Sequence, residues 1–264
     1  MKIATWNVNS VRARLERLLA FLERHAPDAV CLQETKGTEE SFPRDAVREA
    51  GYHALVSGQK TYNGVAILSR EPGADPVSAF GDGGDDSEAR IVATTVNEVR
   101  IVCVYVPNGR SVGSETYRTK LEWLSRLGAL LERDSNPDQP LAVCGDLNIA
   151  PADIDVHDPE GWNEQILCST PERQALREIE AWGLVDSFRH LYPDKVAYSW
   201  WDYRQLGFPK NRGLRIDHVL VTRALLDRLT GVEIDREERK GKGASDHAPV
   251  LANFDPELPA LSGP

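Results

Sequence analysis

Apolar and polar positions alternate along most of this chain in short runs, bounded by Gly, Pro, Asn and Asp. The pattern predicts strands near residues 2–7, 28–33, 52–57, 63–69, 89–96, 99–106, 140–145, 197–201, 214–221, 231–235 and 248–254. Three longer stretches carry helical spacing instead. Val11, Leu15, Leu18, Leu19 and Leu22 fall on one face of a helix that Ser10 is placed to cap. Ser114 is placed to cap a second, with Tyr117, Leu121, Leu124 and Leu131 facing inward. A third opens at Thr170-Pro171-Glu172, a cap followed by proline in the first turn, and Gly183 is placed to end it. Many strands and few helices predict an α/β fold of two sheets packed face to face, with helices outside. No linker, composition break or repeat divides the chain, so residues 1–255 are expected to form one domain and residues 256–264 a short tail, with fraying from Asp255 to Pro264. Gly81 to Asp86 reads as a turn-rich surface loop.

Five of the apolar runs end in polar clusters. They are Ile3-Ala4-Thr5-Trp6-Asn7, Ala29-Val30-Cys31-Leu32-Gln33-Glu34, Leu141 through Asp146 to Asn148, Leu214-Arg215-Ile216-Asp217-His218, and Ala244-Ser245-Asp246-His247. A core strand has no packing reason to end this way. Carboxylates, carboxamides and a histidine so far apart in sequence share a site only if these strand ends converge on one edge of the sheets. Their chemistry suits a divalent cation and a phosphate, which predicts a phosphodiester-cleaving enzyme.

Composition narrows the setting. The chain has no apolar stretch long enough for a membrane span and no basic-then-apolar leader, so a cytosolic protein is expected. Cys31, Cys103 and Cys144 lie within apolar runs and Cys168 in a helix approach, without any CxxC, which fits reduced core thiols. A net charge of −10 argues at first against a nucleic-acid partner. Yet Arg204, Lys210, Arg212 and Arg215 cluster in one segment bordering the candidate site, and Arg110, Arg118 and Lys120 in another. Each run taken alone also reads as solvated surface.

Taken singly, the candidate residues leave alternatives open. Glu34 suits a hard cation such as Mg²⁺, which prefers oxygen ligands, or is a surface acid at a strand end. Asp146 and Asn148 point the same way if the strand stays extended through Leu147, so that they orient a water beside a phosphate; Gly-Asp-Leu-Asn is equally good turn chemistry. His247 is a proton carrier or, held protonated by Asp217, an electrophile, unless it is a core histidine satisfied by backbone. Tyr105 ends an apolar strand as a site hydroxyl or a core aromatic.

Together these segments resemble the exonuclease III family of abasic-site (AP) endonucleases, within the exonuclease–endonuclease–phosphatase superfamily. The stretches that carry the resemblance are ATWNVNSVRARL, LQETK, NGVAILSR, VYVPNG, CGDLNIAPADIDV, SWWDYR, NRGLRIDHVL and SDHAPV, spread from residue 4 to residue 250. The resemblance implies a four-layer α/β sandwich and a Mg²⁺-dependent DNA-repair hydrolase, with Mn²⁺ as a substitute ion. Its substrate would be double-stranded DNA with abasic sites or 3′ ends, cleaved to leave a 3′-hydroxyl by a monomeric cytoplasmic enzyme associated with the nucleoid when on DNA. By the same resemblance Glu34 is the principal metal ligand with Asn7 beside it, Asp146 activates the attacking water assisted by Asn148, and Tyr105 contacts the scissile phosphate. Asp217 pairs with His247, which faces the phosphoryl oxygens, and Asp246 lies at or behind the metal; whether one or two metals are held, with Asp146, Asn148 and His247 among the ligands, stays open. Trp200, Leu214 and Ile216 correspond to the wall of a pocket for an extruded base-free sugar, although some relatives have an aromatic residue in place of Leu214. Arg110, Arg204 and Arg212 are the expected DNA contacts. Two rivals remain: a phosphoesterase acting on inositol phosphates or sphingolipid, and a DNA-binding protein that has lost catalysis.

Overall fold

The structure is a computed structural model that describes residues 1–255; apart from Asp255, the expected frayed end and tail lie outside them. Among the described residues twelve strands form two six-stranded sheets. The first contains β1 (Lys2–Asn7), β2 (Ala29–Gln33), β3 (His53–Ser57), β4 (Val65–Ser69), β11 (Leu229–Ile234) and β12 (Val250–Phe254), in the order β11-β12-β1-β2-β4-β3. The second contains β5 (Ala74–Val77), β6 (Ile91–Val96), β7 (Val99–Tyr105), β8 (Leu141–Asp146), β9 (Leu184–Asp186) and β10 (Asp217–Thr222), in the order β5-β6-β7-β8-β10-β9. β1 runs parallel to β2 and β7 to β8, while the other pairs are antiparallel, so both sheets are mixed. The helices are α1 (Leu15–His25), α2 (Arg44–Glu49), α3 (Glu115–Asp134), α4 (Thr170–Ala181), α5 (Ser187–Leu191) and α6 (Arg223–Leu226). Among the described residues no helix is long and apolar enough to cross a membrane.

Side-chain alternation builds four layers. Ile3, Cys31, Ile101, Cys103, Ala142, Cys144, Val219 and Val250 meet between the sheets. Their neighbours Ala4, Trp6, Val30 and Leu32 face outward onto Leu18, Phe21 and Leu22 of α1. On the other sheet Val102, Val104 and Val143 face Leu124, Leu127 and Leu131 of α3 and Leu176 and Ile179 of α4. Because successive strand residues point to opposite faces, residues two apart share a face. Continuing the inward series to the strand ends reaches Asn7 on β1, Tyr105 on β7, Asp146 on β8 and Asp217 on β10. Tyr105 and Asp217 both pair with Asp146 across the ladder. The inter-sheet layer therefore changes from apolar to polar at one rim, where the polar clusters collect.

Several boundaries differ from the sequence expectation, for identifiable reasons. Residues 197–201 form no strand: the amides of Ser199 and Trp200 both reach the Leu214 carbonyl at 2.9 Å, two residues against one, which breaks a ladder into isolated bridges. β10 accordingly starts at Asp217 rather than at 214. The first helix begins at Leu15 behind Arg14, because Asn9 and Ser10 sit at positive φ and hold residues 9–14 in turns. Ser169, one residue before Thr170, is the cap of α4, with Glu172 reaching back to it. β5 and β9 escaped notice since one is an exposed edge with a proline and the other has three residues.

Candidate active site

Asn7, fully buried, sits at the centre of the rim. Its Nδ2 donates to Glu34 Oε1 and to Asp146 Oδ2, both at 2.9 Å, and its Oδ1 accepts from the Asn9 amide at 3.0 Å. Glu34 follows the last residue of β2 in a left-handed conformation (φ 51°), which turns its carboxylate over the rim instead of along the strand. Its other oxygen lies 2.7 Å from Lys36 Nζ. Burial pushes the Glu34 carboxyl up, but donors from Lys36 and Asn7 outweigh it and hold the group below its ordinary value.

Behind this pair stands His247. Its Nδ1 lies 2.9 and 3.1 Å from the two Asp217 oxygens, and its Nε2 is 3.7 Å from Asp146 Oδ2. Asp217 also accepts from Ser199 Oγ at 2.6 Å, while that hydroxyl takes the amides of Ile216 and Asp217 at 3.1 and 3.0 Å. Burial disfavours the imidazolium, yet the charges of Asp217, Asp146 and Asp246 prevail and raise the ring to about 10. Asp146 moves the other way from a free carboxylate. Burial, with the negative charges of Asp217 and Glu34, pushes it up to about 7 despite His247. Tyr105 stands beside the same carboxylates, its phenol raised by burial and by Glu34 and Asp146, with Arg90 over the ring at 4.8 Å.

One ligand atom each from Glu34, Asp146 and His247 lies within 4.8 Å of the others, a grouping that suits a metal ion. The carboxylates of Glu34 and Asp146 and the carboxamide of Asn7 are all hard oxygen donors, and burial with the neighbouring Asp217 and Glu34 disfavours the Asp146 carboxylate, which a divalent cation would favour. Asp246 is near but separately engaged: its oxygens accept from Asn9 Nδ2 at 3.0 Å and Trp200 Nε1 at 3.1 Å. Asn148 reaches the site through a turn rather than an extended strand. It has φ 51°, and its amide bonds back to Asp146 Oδ1 at 2.9 Å.

The Endonuclease/Exonuclease/phosphatase family matches residues 4–247 of this sequence. The chain belongs to that family. Exodeoxyribonuclease III of Haemophilus influenzae is 36% identical to it over 266 residues, covering 96% of this chain and 100% of that protein. A Neisseria 3′ phosphatase, solved with a product DNA hairpin, superposes with a TM-score of 0.94 at 42% identity over 97% of this chain and 99% of that one. An AP endonuclease from Archaeoglobus fulgidus also gives 0.94, at 36% identity over 97% and 99%. Within the family the chain is an exodeoxyribonuclease III-type nuclease, an enzyme that hydrolyses phosphodiesters.

Around the rim of this nuclease the expected contact residues divide. Arg110, Arg118, Arg204, Lys210 and Arg212 are exposed, although Arg204 is paired with Asp202 at 3.0 Å. Arg215 is not on that face. It is 1% exposed and pairs with Asp155 and Asp186, both at 2.7 Å, which hold its guanidinium in the interior ahead of β10. Lys120 is likewise interior, paired with Glu172 at zero exposure. Trp200 is half-buried beside Asp246, and Leu214 and Ile216 lie beneath it in an apolar cluster with Ala150, Val156 and Leu167. A cleft of 850 Å³ opens between His157, Trp162, Trp200, Arg204 and Arg212. Asn9, Lys36, Asn108 and Ser199 were not singled out from the sequence. Asn9 and Lys36 lie two residues beyond Asn7 and Glu34 within the NVNS and LQETK stretches, a local signal; Ser199 gave none, since its role depends on a bulge.

Proposed function

We propose that this chain is a Mg²⁺-dependent DNA-repair phosphodiesterase, cleaving duplex DNA beside abasic sites or at 3′ ends and leaving a 3′-hydroxyl, with Mn²⁺ as a substitute ion. The observation that carries the reading is the convergence of Asn7, Glu34, Asp146, Asp217 and His247 from five strand ends on one rim. Supporting it are a relative named exodeoxyribonuclease III, a neighbour named an AP endonuclease, and a neighbour solved with a DNA product. Monomeric action in the cytoplasm belongs to the same proposal.

The residues divide the work by their charge states. His247, raised to about 10 by the surrounding carboxylates and held at Nδ1 by Asp217, offers its Nε2 as a donor to a phosphoryl oxygen. Asp146, buried between Asn7 and His247, accepts a proton from water on the way to in-line attack on phosphorus. Tyr105 and Asn148 flank the phosphate as hydrogen-bonding groups. Glu34 with Asp146 would hold the cation, with Asn7 beside it; bound there, it supplies positive charge for the developing phosphoryl oxygens and the departing 3′-oxygen. Trp200, over the apolar floor of Leu214 and Ile216, is the wall against which an extruded sugar packs, and Arg110, Arg204 and Arg212 meet the DNA backbone. The deciding experiment is Mg²⁺-dependent cleavage of a labelled duplex carrying one abasic analogue, beside an undamaged duplex. Incision or 3′ removal that requires Mg²⁺ supports the reading; inertness on both with turnover of an inositol phosphate overturns it.

A further inference from the structure

The fully buried Lys120 does more than join two helices. A lysine ammonium has three donors and no acceptor. Here all three are used: Nζ donates to the Asn148 carbonyl at 2.7 Å, to the Asn108 carbonyl at 3.3 Å, and to Glu172 Oε1. Glu172 in turn accepts from the Leu167 and Ser169 amides, each at 3.1 Å, and from Ser169 Oγ at 2.5 Å. Burying such a pair is expensive, and apolar replacements of similar size are often as stable, so stability alone does not account for it.

What the pair holds is the catalytic turn. Asn148 occupies the left-handed region at φ 51°, a conformation that a non-glycine residue keeps only when its surroundings over-determine it. Each of its polar groups has a partner. The amide donates to Asp146 Oδ1 and Nδ2 to the Val106 carbonyl, both at 2.9 Å; Oδ1 accepts from Asn108 Nδ2 at 3.1 Å; and the carbonyl accepts from Lys120. Lys120 is the one cationic member of this set and also holds the carbonyl of Asn108, whose side chain sets Asn148 Oδ1. That leaves one Nδ2 proton of Asn148 aimed by two coupled contacts.

We propose that Lys120, through its buried pair with Glu172, is a positioning residue that aims Asn148 at the reacting phosphate by fixing the carbonyls of Asn148 and Asn108. The inference rests on the reading of Asn148 as a group that meets the substrate. The test compares steady-state cleavage of an abasic duplex, with Mg²⁺, by the parent, Asn148→Ala, the neutral near-isosteric Lys120→Met/Glu172→Gln, and the triple variant, together with thermal melting. The neutral pair should melt within several degrees of the parent while kcat falls roughly tenfold or more and KM changes little. Asn148→Ala should then cost at least threefold less on the neutral-pair background than on the parent, because the aim is already lost. A folded neutral pair with parental kcat, or an Asn148→Ala loss of full size on both backgrounds, overturns the proposal and leaves the reading of Asn148 intact. No loss for Asn148→Ala on the parent sinks that reading and this proposal together. Should the neutral pair fail to fold, Glu172→Gln alone, which keeps both carbonyl contacts, reads the same coupling to Asn148→Ala at a smaller loss; its absence also overturns the proposal.

Discussion

The Asp217–His247 pair offers the most quantitative perturbation. Asp217→Asn keeps the size of the side chain and a partner for Ser199 Oγ, but removes the charge nearest the imidazole. The ring stands at about 10 instead of 6.5, a difference of roughly 5 kcal/mol in favour of its charged form. Three carboxylates share this against burial, and Asp217 contributes the most. Losing even a third lowers the value by roughly one unit and brings the titration back to roughly pH 9 or below. Since the imidazolium donates to phosphate, the expected result is a kcat lower by roughly 10² or more, with the alkaline limb of kcat against pH moved down by at least about one unit. A bound cation lowers the ring value in parent and variant alike, so the difference between them is the quantity to compare. The assay is kcat over pH 6–10.5 at saturating metal, with histidine nitrogen NMR of the metal-free protein as a direct check. The sign for stability follows: the pair's contribution is complete below about pH 6.5 and is lost as pH rises through about 10. An unchanged alkaline limb with near-parental kcat would refute the assignment of His247 as a charged donor.

Glu34→Gln should raise the Mg²⁺ concentration required for half-maximal cleavage, and EDTA should abolish activity until Mg²⁺ is restored; full activity in chelator removes the metal from the mechanism. Asp146→Asn should lower kcat by roughly 10² to 10⁴ while DNA affinity survives. In the parent, protons compete for Asp146, so apparent metal affinity should weaken as pH falls through about 7, which calorimetry at several pH values would test. Trp200→Ala should impair abasic incision more than removal of an ordinary 3′ nucleotide, and equal impairment contradicts the sugar-wall reading. Neutralising Arg110 should reduce the salt slope of DNA affinity by about one, measured by fluorescence anisotropy, whereas Arg215→Met should leave that slope alone and destabilise by about 3–5 kcal/mol, because Asp155 and Asp186 lose a buried partner. A parental melting temperature for Arg215→Met would contradict its burial.

Strand periodicity made the two-sheet architecture legible, and parity along each strand made the inward direction of Asn7, Tyr105, Asp146 and Asp217 legible as well. Parity fails where φ changes sign. Glu34 and Asn148 both lie just beyond a strand end at φ 51°, so the extended geometry that would align Asn148 with Asp146 is not the one adopted. The turn alternative, Gly-Asp-Leu-Asn, was the conformation adopted, and it does not compete with a site role: the turn brings the Asn148 backbone amide onto Asp146 Oδ1 and sets its carboxamide between the Val106 carbonyl and Asn108 Nδ2. Residues 197–201 were misread because a bulge depends on which carbonyl two amides share, and no local pattern encodes that.

Charge was the least legible property, and for a physical reason. A run of Arg and Lys in sequence says nothing of the face each side chain takes, and strand or helix alternation sends some of them inward. Arg215 and Lys120 were counted toward a surface facing DNA, yet each is consumed by interior carboxylates: Asp155 and Asp186 for one, Glu172 for the other. The conflict between a net charge of −10 and an anionic substrate is therefore resolved on fewer cations than the sequence offers. It is also resolved by using some acids elsewhere, since Asp82 and Asp86 are tied to Arg126. The two interior cations are nevertheless tied to the segments that carry the candidate site. Arg215 is paired just ahead of Asp217, and Lys120 donates to the carbonyl of Asn148 in the turn that follows Asp146, so basic residues withdrawn from the surface border the groups at the rim from inside.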